Sequence, residues 1–260
     1  MAGIYKKILP LAVLLASGGA NAALIYDADA TPDAIFGSGN TNGSYTIDRN
    51  NGIELALRGK LRHDASGAPQ NIFNSNGDGT YSFAPGVGPS QSFPTAEWSF
   101  EWSINTDFEG QSGLVLSDLT YQLGLDMDPS MGTSFTMFDL INGAPCYDHS
   151  LGTNSTANES GIETNCGAAT AASDYASNIS TYNVAQNSWK PHWFISPFDP
   201  TVDGTYDFYL TAFDGNNNAL ASTNIQIIVG QGGTTNVPAP LPVFLMASGL
   251  LGMLFARKRK

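Results

Sequence analysis

The segment WSFEWSIN, residues 98–105, alternates large apolar side chains with polar ones. Successive side chains of a β-strand point to opposite faces of a sheet, so a period of two predicts a strand with one buried face. That face would hold Trp98 and Trp102 together with Phe100 and Ile104, which favours the two indoles as core residues. The segment therefore predicts a β fold built around a buried aromatic strand.

Similar alternation recurs along the chain and predicts about eight to ten strands. Its clearest further examples are residues 53–58, 119–126 and 205–212. Glycine adopts a positive φ at little cost, and turn sequences with glycine lie beside these segments at Asn51-Gly52, Asp78-Gly79 and Asp214-Gly215. The single candidate for a longer amphipathic helix is 168–178. We predict an all-β protein, an antiparallel β-sandwich of the jelly-roll or immunoglobulin-like type, flanked by a hydrophobic helix at each end.

The chain begins with a short apolar segment that follows two lysines. Residues 1–22 end in the small residues Ala20-Asn21-Ala22, and this combination is typical of a secretory signal peptide. A first core helix is the alternative, but Pro10 and the short apolar run disfavour it. We therefore predict a signal helix cleaved between Ala22 and Ala23, and export from the cytoplasm.

The chain ends with a second apolar segment. Residues 241–256 are apolar apart from Ser248. As a helix they would extend about 24 Å, slightly less than the hydrocarbon core of a bilayer, which is about 30 Å thick. The cations that follow are Arg257, Lys258, Arg259 and Lys260, and they predict a cytoplasmic end. A core helix seldom ends in adjacent cations, so we predict a helix that anchors the chain in the inner membrane.

Residues 237–260 combine a proline motif, the apolar segment and the basic end. The motif is Val237-Pro238-Ala239-Pro240, and Gly249-Leu250-Leu251-Gly252 lies within the apolar segment. This arrangement resembles a PEP-CTERM sorting signal, although Ala239 stands where that family usually has glutamate. The resemblance implies recognition by a membrane-embedded exosortase, cleavage near the prolines, and a surface or biofilm-matrix location in a Gram-negative bacterium that makes exopolysaccharide.

The sequence thus divides into a signal peptide at 1–22, a β-sandwich body at 23–229, a flexible linker at 230–236 and a sorting tail at 237–260. Segments of the body such as IELALRGKLR also resemble uncharacterised exported proteins with the same kind of tail. The partners implied by the tail are signal peptidase and an exosortase-type enzyme, with membrane contact through the C-terminal helix before processing.

The exported body is strongly acidic. All 23 acidic residues lie within it, together with five of the 11 lysines and arginines, so its formal charge is −18. Phosphate binding needs clustered cations, and this balance argues against nucleic acid as a partner. It favours solubility and makes divalent cations plausible counter-ions.

The body contains two cysteines, Cys146 and Cys166. In an oxidising compartment they are expected to form a disulfide across the polar loop 143–176. A metal site is the alternative, but the one nearby histidine is His149 and no CxxC or HxxxH spacing is present. We predict a structural disulfide and no metal site.

Carbohydrate binding has two sets of candidate residues. Trp189 and Trp193 lie in NSWKPHWF, a segment without clean alternation, and are either stacking platforms for sugars or aromatic anchors buried under a loop. Arg58, Lys60 and Arg62 project from one face of a predicted strand. They would either bind an acidic matrix polysaccharide or pair with carboxylates on a neighbouring strand, and we favour the structural role.

Catalysis and calcium binding each have a weaker candidate. Glu97 and Glu101 would share one strand face, and paired carboxylates act in glycosidases, but such neighbours are common in acidic proteins. Residues 74–79 place oxygen side chains at alternate positions, yet Pro85 stands where a calcium loop needs its glutamate, so a hairpin turn is favoured. No GxSxG motif is present. We predict a protein that is not an enzyme and has no cofactor.

The sequence as a whole predicts an exported, exosortase-sorted structural or adhesive protein of the cell surface or extracellular matrix, associated with exopolysaccharide. The main alternative is a carbohydrate-binding module, and a glycan-processing enzyme is the third. These functions share one location and differ in whether the body has a saturable site for a sugar.

Overall fold

A computed structural model describes residues 23–234 of the chain. The predicted signal peptide at 1–22, the sorting tail at 237–260 and the end of the linker lie outside these residues. Within 23–234, no helix combines the length and the apolar character that crossing a bilayer requires. The hydrophobic helix at 241–256 lies outside this range and stays a prediction.

The described residues form eleven strands, one α-helix and two short 3-10 turns. The strands are β1 (Ile25–Ala28), β2 (Tyr45–Asn50), β3 (Ile53–Leu61), β4 (Thr80–Phe83), β5 (Trp98–Asn105), β6 (Thr120–Asp126), β7 (Phe135–Phe138), β8 (Ser150–Gly152), β9 (Val184–Trp189), β10 (Gly204–Phe213) and β11 (Ala219–Val229). The helix α1 spans Ala171–Ile179, and the 3-10 turns span Leu116–Asp118 and Pro191–Trp193. The prediction of an all-β body is confirmed, with one strand more than expected.

The strands form two sheets. The six-stranded sheet has the order β1-β2-β3-β5-β9-β8, and the five-stranded sheet has the order β4-β11-β10-β6-β7. Pairing is antiparallel except at one edge, where β4 runs parallel to β11. The prediction of a purely antiparallel sandwich is wrong at this edge, because the chain crosses between the sheets after β3 and reaches β11 in the parallel direction.

The two sheets pack face to face around one core. From β5, the side chains of Trp98, Phe100, Trp102 and Ile104 are all buried there, as the alternation predicts. They meet side chains of the facing sheet, and the ring centroids of Phe100 and Phe208 on β10 lie 4.9 Å apart. Because both sheets share this core, the body is a single sandwich.

Two of the predicted turns join neighbouring strands. Asn51 and Gly52 have φ values of 54° and 78°, the positive values that a two-residue hairpin turn requires, and they connect β2 to β3. At the second turn, Asp214 Oδ1 accepts the backbone N–H groups of Asn216 and Asn218 at 2.9 and 2.8 Å. These bonds close the β10–β11 hairpin, so both turn predictions are confirmed.

The outer face of the six-stranded sheet is also covered, which the alternation does not predict. Residues 29–44 lie over outward side chains of β3 and β5 that are themselves buried. Glu54 Oε1 accepts the Thr31 N–H at 2.6 Å, and Arg58 Nη1 donates to the Gly43 carbonyl at 2.6 Å. The covering segment has no periodic apolar residues, so the sequence carries no pattern that reveals it.

The polar loop 143–176 is ordered by a disulfide and by local structure. Cys146 and Cys166 form the predicted bond, with their Cα atoms 5.7 Å apart. The helix α1 lies within one to three residues of its predicted bounds and buries Tyr175. The short strand β8 pairs with β9, and sequence analysis missed it because three residues are too few for a periodic pattern.

The first part of the predicted linker packs against the body. The Gly230 N–H donates to the Phe83 carbonyl at 2.9 Å, and the Gly233 N–H donates to Thr205 Oγ1 at 2.8 Å. Oxygens of the neighbouring strands therefore satisfy glycine N–H groups of residues 230–234, and the flexibility of the linker stays a prediction.

Candidate functional site

A polar cleft lies on the outer face of the six-stranded sheet. Its volume is about 260 Å³, just below the range of small-molecule pockets, about 300–1,000 Å³. Residues 36–40 and 69–71 line it together with side chains of β3, β5 and β9. Its charged lining residues are Lys60, Arg62, Glu101 and Glu163.

Arg58, two residues before Lys60 on β3, is fully buried. Its guanidinium carbon lies 4.1 Å from the ring centroid of Tyr45 and 3.9 Å from that of Phe73, so the two rings stack on the cation. Its Nη2 and Nε lie 2.6 and 2.7 Å from Glu101 Oε2, and the pairing of β3 with β5 places these residues opposite each other. Arg58 has the structural ion-pair role that sequence analysis favoured, and it is not accessible to a glycan.

Lys60 shares the same carboxylate. Its Nζ lies 3.4 Å from Glu101 Oε1 and donates a hydrogen bond to Asn40 Oδ1. Lys60 is 7% exposed. Burial lowers the pKa of its ammonium, and the attraction of Glu101 opposes that shift. Glu101 therefore holds two cations, and Lys60 stabilises the sheet face as well as lining the cleft.

Asn40 brings an unused hydrogen-bond donor to the cleft. The residue is 5% exposed and lines the cleft. Its Oδ1 is engaged by Lys60, but its buried Nδ2 has no hydrogen-bond partner among the described residues. A buried donor without a partner costs about 1–3 kcal/mol, so a ligand oxygen placed beside it would be stabilised.

Arg62 follows the end of β3 and reaches β9. Its Nη1 donates to Ser188 Oγ at 2.7 Å. Burial lowers the pKa of its guanidinium, and Glu101 opposes that shift. Within residues 23–234, Arg62 forms no ion pair. It therefore brings to the cleft a positive charge that no carboxylate of the described chain contacts.

The two tryptophans proposed as sugar platforms differ in environment. Trp189 is 4% exposed and packs against Trp102 at a centroid distance of 5.3 Å, because β9 directs it into the core. Of the two alternatives, Trp189 is therefore the buried aromatic anchor and not a platform for a sugar. Trp193 lies in the 3-10 turn after β9 and is 53% exposed, so of the two indoles it is the one with an open face.

The predicted pair of glutamates is separated by the fold. Glu101 lines the cleft and is engaged by two cations. Glu97 lies outside the cleft, and its Oε1 accepts the Ala84 N–H at 3.0 Å. Glu163 lines the cleft instead. Sequence analysis missed Glu163 because it lies in an irregular loop and reaches Glu101 only through long-range packing.

The calcium candidate at 74–79 is a hairpin turn. The Asn76 N–H donates to the Thr80 carbonyl at 2.9 Å, and Asp78 Oδ1 accepts the Thr80 N–H at 3.0 Å. Hydrogen bonds from Thr80 lower the pKa of Asp78. In the part of the chain that the structure describes, no group of three or more His, Cys, Asp or Glu side chains is placed to hold a metal ion.

Comparison with known proteins gives no relative. No family model, no curated protein and no solved structure matches this chain. A fold alone does not determine a function. The function is therefore inferred from the residues of the cleft and from the ends of the sequence.

Proposed function

We propose that this chain is an exported adhesive protein of the bacterial surface or extracellular matrix, and that its cleft binds a carbohydrate. The proposal joins the predicted matrix role to its main alternative, a carbohydrate-binding module. Within the observed β-sandwich, the finer class, jelly-roll or immunoglobulin-like, stays part of the proposal.

The unpartnered Nδ2 of Asn40 is the observation that carries the proposal. Natural proteins leave few buried polar groups unpaired, and such groups are often completed by a ligand or solvent. Here the donor belongs to a residue that lines a cleft whose charged lining residues also include Lys60, Arg62 and Glu163. The lining thus holds both donors and acceptors, which suits hydroxyl groups because each hydroxyl both donates and accepts.

The cleft is held in shape before any ligand binds. Asn71 Oδ1 accepts the Thr41 N–H at 3.1 Å, and Asn71 Nδ2 donates to the Gly39 carbonyl at 2.7 Å. These bonds tie the two loops that line the cleft to each other. A site that is already ordered loses less conformational entropy on binding, so this arrangement supports recognition of a ligand.

Export and sorting are supported by the ends of the sequence and by the disulfide. The signal peptide predicts secretion, and disulfides persist in oxidising compartments, which agrees with the bond between Cys146 and Cys166. The resemblance of 237–260 to a PEP-CTERM signal supports processing by an exosortase-type enzyme after transient anchoring in the inner membrane. We propose a role without catalysis, since Glu101 is held by two cations.

A glycan array probed with the full-length protein tests this proposal. We expect saturable binding to at least one glycan. Glu163→Trp should abolish that binding, because Glu163 is exposed and lines the cleft and an indole there would fill it. Glu109→Trp is the matched control, since Glu109 is equally exposed and lies outside the cleft.

Thermal unfolding of both variants separates a blocked site from a damaged fold. The two melting temperatures should stay close to that of the unchanged protein. Absence of saturable binding to every glycan would contradict the proposal and leave a purely structural protein. Equal loss of binding in both variants would place the sugar site outside the cleft.

A further inference from the structure

The cations of the body are concentrated in one region. The body holds five: Arg49, Arg58, Lys60, Arg62 and Lys190. Arg58 and Lys60 point outward from β3. Arg62 lies just after the end of β3 and donates a hydrogen bond to Ser188 on β9. Lys190 follows Ser188 by two residues, and a period of two places it on the same outer side. Lys60 and Arg62 thus line the cleft, and Arg58 and Lys190 lie two residues from Lys60 and Ser188, in a body whose formal charge is −18.

Arg62 and Lys190 differ from the other cations in having no carboxylate partner. Arg49 pairs with Glu54 at 2.6 Å, and Arg58 and Lys60 share Glu101. No ion pair involves Arg62 or Lys190 anywhere in residues 23–234. With 23 acidic residues available, two adjacent cations without a partner are unfavourable for the protein alone, because like charges repel.

The pKa shifts of Lys190 and its neighbours support the placement of Arg62 close to Lys190. Burial lowers the pKa of Lys190, and the charge of Arg62 lowers it further. Burial and then the charge of Lys190 lower the pKa of His192. Burial also lowers the pKa of His63, the hydrogen bond to the Gly67 carbonyl opposes that shift, and the charges of Lys190 and Arg62 add to it. An anion from outside the protein would relieve this repulsion.

Trp193 adds an apolar surface beside the two cations. The Lys190 Nζ lies 5.9 Å from its ring centroid, and more than half of its surface is exposed. Aromatic faces bury the C–H side of a sugar ring well, and arginine binds carboxylates through parallel hydrogen bonds. We name Arg62, Lys190 and Trp193 the cationic track.

We infer that the ligand of the cleft is a polysaccharide bearing carboxylate groups, such as a polymer of uronic acids, and that the cationic track, which begins at Arg62 in the cleft lining, binds it. This inference rests on the proposed carbohydrate function. In the bound state, one sugar unit occupies the cleft beside Asn40. The carboxylates of the neighbouring units contact Arg62 and Lys190, and one sugar ring lies on Trp193.

Binding of the full-length protein to polygalacturonate and to alginate tests the inference, each polymer compared with its own carboxyl-reduced, neutral form. A charged hydrogen bond contributes about 1.5–3 kcal/mol, so at least one polyuronate should bind about tenfold or more tightly than its neutral form. Added salt should weaken that binding.

Variants distinguish specific binding by the cationic track from a general effect of the protein's net charge. Arg62→Gln and Lys190→Gln should each weaken polyuronate binding about tenfold. Lys190→Gln should leave binding to the neutral polymer unchanged, because Lys190 is not among the residues that line the cleft. Asn216→Asp is the control, because it makes the same change in net charge at an exposed turn and should have no effect. Trp193→Ala should weaken binding to both forms, since stacking does not depend on charge.

The failures of the inference and of the proposed function are distinguishable. Equal binding of each polyuronate and its neutral form would overturn the inference and keep a carbohydrate site. A loss with Asn216→Asp as large as that with Arg62→Gln would also overturn it, since net charge would then suffice. Absence of binding to all of these polymers would also overturn the inference, and absence of binding to every glycan of the array as well would overturn the carbohydrate function.

Discussion

Glu101 is the single carboxylate that holds two buried cations, Arg58 and Lys60. Glu101→Gln keeps the shape of the side chain and removes its charge. Breaking a buried ion pair at one partner costs about 3–5 kcal/mol, because the remaining charge is buried without compensation. We expect the free energy of unfolding in urea to fall by about that amount.

The matched control is Glu163→Gln, at an exposed carboxylate of the same cleft. This change should alter the free energy of unfolding by less than about 0.5 kcal/mol, as surface substitutions usually do. A Glu101→Gln variant as stable as the unchanged protein would show that Arg58 is held by its aromatic neighbours alone.

His149 makes stability depend on pH. It is fully buried, its Nε2 lies 2.6 Å from the Leu140 carbonyl oxygen, and burial lowers its pKa to about 4. Between pH 6.5 and 4 the unfolded chain binds a proton that the folded protein excludes. The free energy of unfolding should therefore fall by about 3 kcal/mol as the pH drops through this window, and His149 should add no pH dependence above it.

Urea unfolding at pH 7 and pH 4.5 measures this effect, with His149→Gln as the reference. Burial raises the pKa of Glu54, so protonation of that group acts in the opposite direction and the difference between the two proteins is the quantity to compare. Equal pH dependence in both would contradict the assignment to His149.

At Gly59 of β3, the neighbouring side chains leave no room for a Cβ atom. A Cβ atom there would lie 2.9 Å from side-chain atoms of both Phe83 and Tyr81. Overpacking of a core typically costs about 1–3 kcal/mol, so Gly59→Ala should lower the free energy of unfolding by that amount. At Gly215 the added Cβ would meet no atom within 4 Å, and Gly215→Ala should leave stability nearly unchanged.

The strands show which structural features sequence analysis could predict. The inner face of β5 was predictable, because Trp98 and Trp102 alternate with polar residues and bury in one core. The covered outer face of the six-stranded sheet was not predictable. The segment 29–44 that covers it is held by hydrogen bonds to Glu54 and Arg58 of β3 and has no apolar period. Local patterns predict one side of a strand, and long-range polar packing decides the other.

The candidate site was predictable only in part for the same reason. The strip of cations on β3 is visible in the sequence, yet the sequence does not show that Arg58 is compensated while Arg62 is not. Asn40 and Glu163 line the same cleft but come from irregular loops that are far apart in the sequence. The tertiary fold brings these two residues together, and no spacing along the sequence indicates that they are neighbours.

At the scale of the whole molecule, the disulfide stabilises the body against unfolding. The bond closes a loop with a sequence separation of 20, and the chain-entropy model gives about 3 kcal/mol for a loop of this size. We expect the double variant Cys146→Ser, Cys166→Ser to lose about that much stability in urea. Its near-ultraviolet circular dichroism should stay unchanged, because the tryptophan core lies between the sheets. A lost aromatic signal would mean that the loop is needed for the core.

The packing of residues 230–234 would limit access to the proposed processing site. The Thr234 carbonyl accepts the Met131 N–H at 3.3 Å, and three residues separate it from Pro238. A fully extended chain of that length reaches about 14 Å, less than the radius of most folded enzymes. A protease that cuts between Val237 and Pro240 must therefore bring its active site into close contact with the folded body. Otherwise cleavage requires local unfolding of residues 230–234. The rate of sorting would then report the local stability of the end of β11.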